Sequence, residues 1–350
     1  MNAFTQSIGI RFPIIQAPMA GGVDTPALVA EVGNAGALGS LGASYLSAAQ
    51  IDEAVAAVRR RSSAPFAINL FVGCRQTAPD PDGVARVQPL LRQFRAELGL
   101  GPVEETTSAP PSDLLGAQFE AILRARPRVF SFTFGMPSPE HLRALRARSI
   151  LSIGTATNLA EAEALDELGV DAICAQGAEA GAHRGTFLGS FEDSLLGTMA
   201  LVPQVARRVR RPVIAAGGIM DGRAISAALG LGAQAVQLGT AFLACPEAGT
   251  SPAHREALFS PAARHTVVTR AFSGRPGRCI RNRFTEAFDG VQVPAFPLQQ
   301  SLTREIRSAA SAQGRTDIMQ LWAGQGAPLI RAMPAAELVR TLVSEAKLPS

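Results

Sequence analysis

Short apolar segments alternate with longer segments of helical spacing along most of the chain. The apolar segments are rich in β-branched and small residues, which is typical of buried strands. They cover residues 14–20, 37–43, 66–72, 129–135, 150–156, 172–177, 212–218 and 235–243. Several of the helical segments begin with Thr, Ser, Asn or Asp and end with Gly, such as 25–36, 47–61, 158–169 and 221–232. Strand alternating with helix predicts a parallel sheet.

The number and size of these units predict a closed (β/α)8 TIM barrel. Eight units occupy about 245 residues, and such barrels usually need roughly 250. An open doubly wound sheet is the alternative, and it would normally carry a Gly-x-Gly-x-x-Gly fingerprint directly after its first strand. Residues 17–22 at that position are APMAGG, without the fingerprint. The predicted fold class is therefore an α/β barrel.

Two segments lie outside the repeat. Residues 74–127 form an overlong third connection with helical runs at 84–98 and 113–125. Residues 246–350 continue past the eighth strand in mostly helical patterns. We expect residues 1–247 to form the barrel, with the insertion at 74–127, and residues 248–350 to form a helical cap domain that closes a substrate pocket at the barrel mouth.

The composition is that of an ordinary folded protein, with 350 residues, 47% hydrophobic and 18% charged. No apolar run reaches the roughly 18 residues that a membrane helix needs. The N-terminal stretch lacks the basic, apolar and small-residue order of a signal peptide. We therefore expect a cytoplasmic protein with no membrane partner, and we keep a homodimer as a candidate assembly.

Charge and residue counts exclude several classes of function. The net charge is +4 and the pI is near 9.3, but the arginines are scattered and do not alternate with aromatic residues, so no nucleic-acid partner is expected. The four cysteines lack the spacing of a metal site or a disulfide framework, so no metal is expected. Lys347 is the only lysine, which argues against Schiff-base, pyridoxal and Walker-type chemistry.

Candidate chemistry is sought where the predicted strands end, because reactive groups of such barrels lie there. Gly217 and Gly218 follow the seventh strand and precede a helix, and Gly239 and Thr240 end the eighth. Glycine lets main-chain amides approach a phosphate, and a helix N-terminus adds a favourable partial charge. These loops predict a site for a phosphate-bearing ligand, although tight turns alone would also use glycine.

Two amides and one histidine complete the candidate site. Asn69 and Gln176 each end an apolar strand and would suit a flat heteroaromatic ring, or else be satisfied core amides. His183 follows the sixth strand in the Gly- and Ala-rich stretch AQGAEAGAHRG, with little to pack against. With an ordinary pKa near 6.5 it could remove a proton or, as imidazolium, hold an anion. The remaining histidines lie in helical or polar surface stretches and are interpreted as structural: His141, His254 and His265.

Several stretches together resemble the nitronate monooxygenases, formerly called 2-nitropropane dioxygenases, and in particular their bacterial class I. They are PIIQAPMAGG, FAINLFV, AICAQGAEAGAHRGTF, VIAAGGIMDGRAISAALGLGAQAVQLGTAFLAC, FSGRPGRCIRNRF and LWAGQGAPL. They span nearly the whole chain, and several recur in the broader flavin-barrel superfamily. The resemblance therefore identifies the cofactor more firmly than the substrate.

The resemblance implies noncovalently bound FMN in a barrel with a helical cap. It also implies that O2 oxidises a small alkyl nitronate, such as propionate 3-nitronate, to a carbonyl compound and nitrite. The catalytic histidine of the family falls on His183. The expected cofactor contacts are Met19, Asn69, Gln176, Gly181, Gly217, Gly218, Gln237, Leu238, Gly239 and Thr240.

Two departures from the family pattern bear on the substrate. The usual Gly-Gly-His is Gly181-Ala182-His183 here, which adds a methyl group beside the flavin. Substrate pockets of the family often contain tyrosine and lysine, yet Tyr45 is the only tyrosine and Phe296 stands where a tyrosine is common. Two alternatives remain open: an NAD(P)H-dependent flavin reductase of the same superfamily, acting on enoyl-acyl carrier protein or quinone, and a flavin-binding protein without turnover.

Overall fold

The computed structural model describes residues 2–73, 80–101 and 114–349, in which eight parallel strands form a barrel. The barrel strands are β1 (Ile14–Gln16), β2 (Gly39–Gly42), β3 (Phe66–Phe71), β4 (Val129–Thr133), β5 (Leu151–Ala156), β6 (Ala172–Gln176), β8 (Val213–Ala216) and β9 (Ala235–Leu238). A second, three-stranded sheet contains β7 (Ala182–His183), β10 (Thr266–Thr269) and β11 (Gly277–Ile280). This second sheet was not predicted, because residues 248–350 were expected to be mostly helical.

The barrel strands pair in the order β1-β9-β8-β6-β5-β4-β3-β2, and Leu38 closes the ring between β1 and β2. The Leu38 amide donates a hydrogen bond to the Ile14 carbonyl oxygen (3.0 Å), and the Leu38 carbonyl oxygen accepts one from the Gln16 amide (2.9 Å). The predicted (β/α)8 barrel is confirmed, and the open doubly wound sheet is excluded because this edge is paired.

The helices follow the strands as the sequence pattern predicted. They are α1 (Ala3–Ile8), α2 (Pro26–Asn34), α3 (Ala48–Arg59), α4 (Pro81–Glu97), α5 (Leu114–Ala125), α6 (Pro139–Arg146), α7 (Leu159–Leu168), α8 (Thr198–Arg208), α9 (Gly222–Gly230), α10 (Pro252–Phe259), α11 (Arg283–Ala287), α12 (Leu298–Leu302), α13 (Arg304–Ala312) and α14 (Ala335–Glu345). Four predicted N-caps accept a hydrogen bond from the first turn of their helix. They are Thr25, Ser47, Asn158 and Asp221.

The two ends of the barrel differ in polarity. At the amino end, Phe4 and Ile8 of α1 pack in one cluster with inward side chains of the strands, such as Ile15 and Leu38. Side chains alternate between the two faces of a strand, so the polar residues further along each strand point inward at the carboxyl end. The filled amino end leaves the carboxyl end as the place for a ligand.

The third connection and the C-terminal segment share a second apolar cluster. Val87, Leu91 and Phe94 of α4 are buried in it together with residues such as Phe272 and Phe284. By contrast, α5 and α14 pack in the outer layer of the barrel. The division at residue 247 and the role of residues 248–350 as a cap stay predictions, and the predicted insertion at 74–127 falls partly outside the described residues.

The barrel strands are shorter than predicted, the first and the eighth most of all, because the chain turns at the barrel mouth. The first strand ends at Gln16 rather than residue 20, and the eighth ends at Leu238 before a 3-10 helix over Thr240–Phe242. Gly239 directly precedes this 3-10 helix and begins the turn at the strand end. No helix within the described ranges is long and apolar enough to cross a membrane.

A buried carboxylate organises the loop that follows β1. Asp24 accepts hydrogen bonds from the amides of Met19 (2.5 Å) and Gly42 (2.9 Å) and from the Gln16 side chain (2.9 Å). Gln16 in turn accepts a hydrogen bond from the Ser40 amide (2.9 Å). Burial raises the pKa of Asp24 to about 7, although these three hydrogen bonds lower it. The network ties the ends of β1 and β2 together and fixes the loop that carries Met19.

We predict that Asp24→Ala lowers the free energy of unfolding by about 3 kcal/mol, because two main-chain amides and the Gln16 side chain lose their hydrogen bonds to this carboxylate. Chemical denaturation measures the change. The control is Asp289→Ala, which removes an exposed carboxylate that makes no polar contact with another described side chain. Equal midpoints for the two variants would contradict the structural role of Asp24.

Candidate active site

Polar side chains line the inside of the barrel at its carboxyl end. Asn69 donates from Nδ2 to the hydroxyl of Ser131 on the neighbouring strand (3.0 Å). Gln176 donates from Nε2 to the His183 carbonyl oxygen (3.1 Å) and accepts from the Gly185 amide (2.8 Å). Gln176 thus links the strand end to the histidine segment, whereas the sequence suggested only a ligand contact or a core role.

Buried charged side chains fix the segment that carries His183. Arg184 is only 1% exposed, so its guanidinium lies inside the protein, where main-chain carbonyl oxygens take the place of water as hydrogen-bond acceptors. The buried carboxylate of Glu161 accepts hydrogen bonds from the amides of Phe187 and Leu188, just beyond it. The Arg184 guanidinium donates at 2.9, 2.6 and 2.9 Å to the carbonyl oxygens of Gln176, Gly177 and Ser194.

His183 is packed among aromatic rings, which contradicts the expectation that it has little to pack against. It belongs to β7, which pairs antiparallel with β11 so that His183 lies opposite Gly277. Its Nε2 lies 2.8 Å from the hydroxyl oxygen of Ser273. The ring centroids of three aromatic side chains lie 5.1, 5.9 and 6.3 Å from the imidazole: Trp322, Phe134 and Phe296.

The electrostatic environment keeps the imidazole neutral. Burial and, to a smaller extent, the positive charges of Arg275 and Arg307 together lower the pKa of His183 to about 3. A neutral imidazole can accept a proton but carries no charge with which to hold an anion. Of the two roles open from the sequence, the environment argues against the charged, anion-holding one, and it also makes the neutral imidazole a weaker base than a free histidine.

The glycine-rich loops after β8 and β9 lie side by side, because these two strands pair. Gly217 and Gly218 have φ of 114° and 72°, in the left-handed region that favours glycine. Within the described part of the chain, no group accepts a hydrogen bond from the amides of Gly218, Gly239 or Thr240. Main-chain amides in such glycine-rich loops can donate hydrogen bonds to an anion.

The remaining predicted cofactor residues surround these loops. A methyl group at Gly239 would lie 3.8 Å from the Met19 sulfur, so the loop after β1 contacts the loop after β9. A methyl group at Gly181 would lie 2.6 Å from the Gly324 amide nitrogen, and that amide donates to the Thr240 hydroxyl (2.9 Å). The histidine segment, the β9 loop and the C-terminal segment therefore meet at one place.

Gln237 and Leu238 take opposite positions. Alternation along β9 points Gln237 into the barrel mouth, since Ala235 belongs to the inner cluster. The Leu238 side chain is buried in the outer layer, and its carbonyl oxygen accepts a hydrogen bond from Ala17 (2.8 Å). Leu238 can contact a ligand at the mouth only through its main chain.

Known proteins match this chain over nearly its full length. The family model described as nitronate monooxygenase matches residues 2–345. The chain belongs to the nitronate monooxygenase family. It is 43% identical to a nitronate monooxygenase of Pseudomonas aeruginosa, over 98% of this chain and 99% of the relative. It is 39% identical to a probable nitronate monooxygenase of Staphylococcus aureus, over 98% and 97%.

Solved structures support the same assignment. The nitroalkane oxidase from Streptomyces ansochromogenes superposes with a TM-score of 0.91 at 38% identity, covering 98% of both chains. FabK from Thermotoga maritima superposes with a TM-score of 0.78 at 27% identity, covering 99% of this chain and 96% of that one. The chain is thus an oxidoreductase of the nitronate monooxygenase family, whose members use a flavin.

The residues at the barrel mouth fit a phosphorylated flavin. The unpartnered amides of Gly218, Gly239 and Thr240 suit a phosphate group, and the close contacts at Gly181 leave no room for a side chain there. The inward polar side chains and the aromatic rings around His183 suit a flat heteroaromatic ring that is polar at its edge.

The sequence did not single out three residues of this site: Ser273, Trp322 and Gly324. The stretches FSGRPGRCIRNRF and LWAGQGAPL, which contain them, do belong to the family pattern. Their contact with the histidine segment depends on the pairing of β7 with β11, which joins parts of the chain far apart in sequence. The sequence therefore carried the family pattern around these residues, but it did not indicate that they lie at this site.

We predict that Ala182→Gly leaves stability unchanged or raises it by up to about 1 kcal/mol. Ala182 has φ of 60°, where a side chain costs about 1–2 kcal/mol, and the greater freedom of glycine in the unfolded chain offsets part of the gain. Thermal unfolding measures the effect against Ala178→Gly, a residue of the same segment without positive φ. A larger loss for Ala182→Gly than for the control would contradict the prediction.

We predict that stability falls as the pH drops from about 6.5 toward 4. Burial holds the pKa of His183 at about 3 and that of His254 at about 4, so below pH 6.5 these two imidazoles bind more protons in the unfolded chain than in the folded one. The raised pKa of Asp24 opposes this dependence with one proton against two. The two histidines make their full contribution to the free energy of unfolding above the ordinary histidine pKa. His183→Asn should flatten this dependence by up to about 1.4 kcal/mol per pH unit.

Denaturation at several pH values measures this dependence, and only the slope is compared, because the substitution also changes packing. His265→Asn is the control, because His265 is exposed. Parallel curves for His183→Asn and the unsubstituted protein between pH 4 and 6.5 would refute the assignment of a neutral, buried imidazole.

His254, expected in a helical or surface stretch, lies in α10 but is buried.

Proposed function

We propose that this protein uses noncovalently bound FMN to oxidise alkyl nitronates with O2, giving a carbonyl compound and nitrite. Membership of the nitronate monooxygenase family over residues 2–345 supports nitronate oxidation. The observation that carries the site assignment is a buried imidazole at the carboxyl end of the barrel, together with nearby loop amides that have no acceptor among the described residues.

The amide cluster supports FMN as the form of the flavin. Gly218, Gly239 and Thr240 offer one group of main-chain donors, which suits the single terminal phosphate of a mononucleotide. Asn69 and Gln237, which point into the mouth, are the residues we assign to the ring edge. When bound, the flavin accepts electrons from the substrate and passes them to O2.

His183 acts as the general base for a neutral nitroalkane. The Ser273 hydroxyl donates its hydrogen to the Arg275 carbonyl oxygen (3.1 Å), so the His183 Nε2–H donates to Ser273 and the lone pair lies on Nδ1. Nδ1 then accepts the α-proton, which converts the nitroalkane to its nitronate. A preformed nitronate needs no proton removal and depends less on this step.

A flavin reductase that uses NADH or NADPH is the second candidate. The similarity to FabK from Thermotoga maritima favours it, although at lower identity and TM-score than the nitroalkane oxidase from Streptomyces ansochromogenes. A reductase needs room for a nicotinamide against the flavin. The two candidates therefore differ in which reductant bleaches the bound flavin.

An absorbance spectrum of the purified protein is the first test, and we expect flavin bands with FMN released on denaturation. Anaerobic ethylnitronate should bleach these bands, whereas NADH and NADPH should not. Aerobic propionate 3-nitronate should yield nitrite. Prompt bleaching by NADH alone would favour the reductase, and a colourless protein that takes up no added FMN would contradict the proposal.

We predict that His183→Asn lowers turnover of neutral nitroethane by about 10²–10⁴-fold, the usual contribution of a general base. Turnover of ethylnitronate should fall much less, because that substrate is already deprotonated. Both rates are measured as nitrite release, with FMN content checked and His265→Asn as the control. Equal losses for the two substrates would rule out proton abstraction by His183.

A further inference from the structure

Arg275 and His183 contact the same aromatic ring. The guanidinium carbon of Arg275 lies 3.7 Å from the centroid of the Phe134 ring, and the imidazole of His183 lies 5.9 Å from it. Arg275 also donates from Nη2 to the Thr186 carbonyl oxygen. A guanidinium stacked on a ring keeps its donors in one plane, where they can meet a planar anion edge-on.

The backbone couples Arg275 to the imidazole as well. Ser273, whose hydroxyl lies 2.8 Å from His183 Nε2, accepts a hydrogen bond from the Arg275 amide (3.3 Å) and donates one to its carbonyl oxygen (3.1 Å). The turn between β10 and β11 therefore places a fixed positive charge next to the base. This geometry does not depend on any bound group.

Arg307 supplies a second positive charge near His183. Its side chain is half-buried and forms no ion pair with any described carboxylate. It donates to the neutral oxygens of Thr303 (3.1 Å), Gln320 (3.2 Å) and Gln300 (2.9 Å). A half-buried cation whose acceptors among the described residues are neutral is unfavourable, and such an arrangement is typical of a functional site.

Acidic side chains of this region are engaged elsewhere. Glu179 accepts hydrogen bonds from the amide and hydroxyl of Thr198, and Glu161 accepts them from the main chain beyond β7. Their charges act on Arg184 and not on His183. Among the described residues, the charged groups that act on the pKa of the imidazole are therefore the two arginines.

We propose that Arg275 binds the anionic nitro group of the substrate, with Arg307 adding to the positive field, so that His183 stays free to act as a base. This inference rests on the proposed function. It assigns anion binding to Arg275 and proton transfer to His183. Arg275 also provides a positive charge and donors in a pocket that lacks the lysine and, at Phe296, the tyrosine common in the family. The site then prefers a preformed nitronate over the neutral nitroalkane.

The test uses the purified holoprotein and its single tryptophan. Trp322 lies 5.1 Å from His183, so its fluorescence reports on a ligand in this pocket. The probe is nitrate, a planar oxyanion that resembles the nitro group of a nitronate and is not oxidised, with chloride at equal ionic strength as the reference. KM for ethylnitronate is measured on the same samples.

We expect Arg275→Gln to weaken nitrate binding and to raise KM for ethylnitronate by about 10- to 100-fold, since it removes charge-assisted hydrogen bonds. Arg275→Lys keeps the charge but loses the planar stack, so its loss should be smaller; it also serves if Arg275→Gln does not fold. The matched control is Arg270→Gln, an exposed arginine of the same turn that lies 5.7 Å from the Phe191 ring. We expect less than about a twofold change for it.

Two outcomes separate this inference from the proposed function. Unchanged nitrate affinity and KM in the Arg275 variants, with nitronate still oxidised, would overturn the role of Arg275 and leave the function intact. Nitrate binding that depends on Arg275 in a protein that does not oxidise nitronates would support the anion site and contradict the function. Equal losses in the Arg275 and Arg270 variants would overturn the inference as a general effect of charge.

Discussion

The antiparallel pairing of β7 with β11 is the constraint on which the candidate site depends. It holds His183 opposite Gly277 and so joins the segment after β6 to the C-terminal part of the chain. Gly277 is needed there, because a methyl group at that position would lie 2.8 Å from the Trp322 ring. Without this pairing, the imidazole would lack its hydroxyl partner Ser273 and the Trp322 ring that packs against both Gly277 and His183.

Most of the barrel could be predicted from the sequence, because its signals are local. Apolar strands, the capping residues Thr25, Ser47, Asn158 and Asp221, and the glycines after β8 each act within one strand–helix unit. The positive φ of Gly217 and Gly218 bears out the argument that glycine is required there. Closure of the barrel, which occurs through Leu38, was predicted from the number of strand–helix units and not from any single residue.

The chemistry of the mouth could not be predicted in the same way, because it arises from contacts between distant segments. Nothing local indicates that Ser273 meets His183, 90 residues away, or that β10 and β11 form inside a segment of helical appearance. The pKa of His183 could not be predicted for the same reason, because Arg275 and Arg307, which lower it, lie in another part of the chain. Sequence reasoning left His183 as either base or anion site, and only this environment argues against the anion site.

The central claim is that a flavin lies across the barrel mouth, with its phosphate on the glycine loops and its ring toward His183. A crystal structure of the purified protein with FMN tests it most directly. We expect the phosphate within hydrogen-bond distance of the amides of Gly218, Gly239 and Thr240, and the ring between Asn69 and the imidazole. FMN bound away from these amides, or a ring remote from His183, would contradict the account.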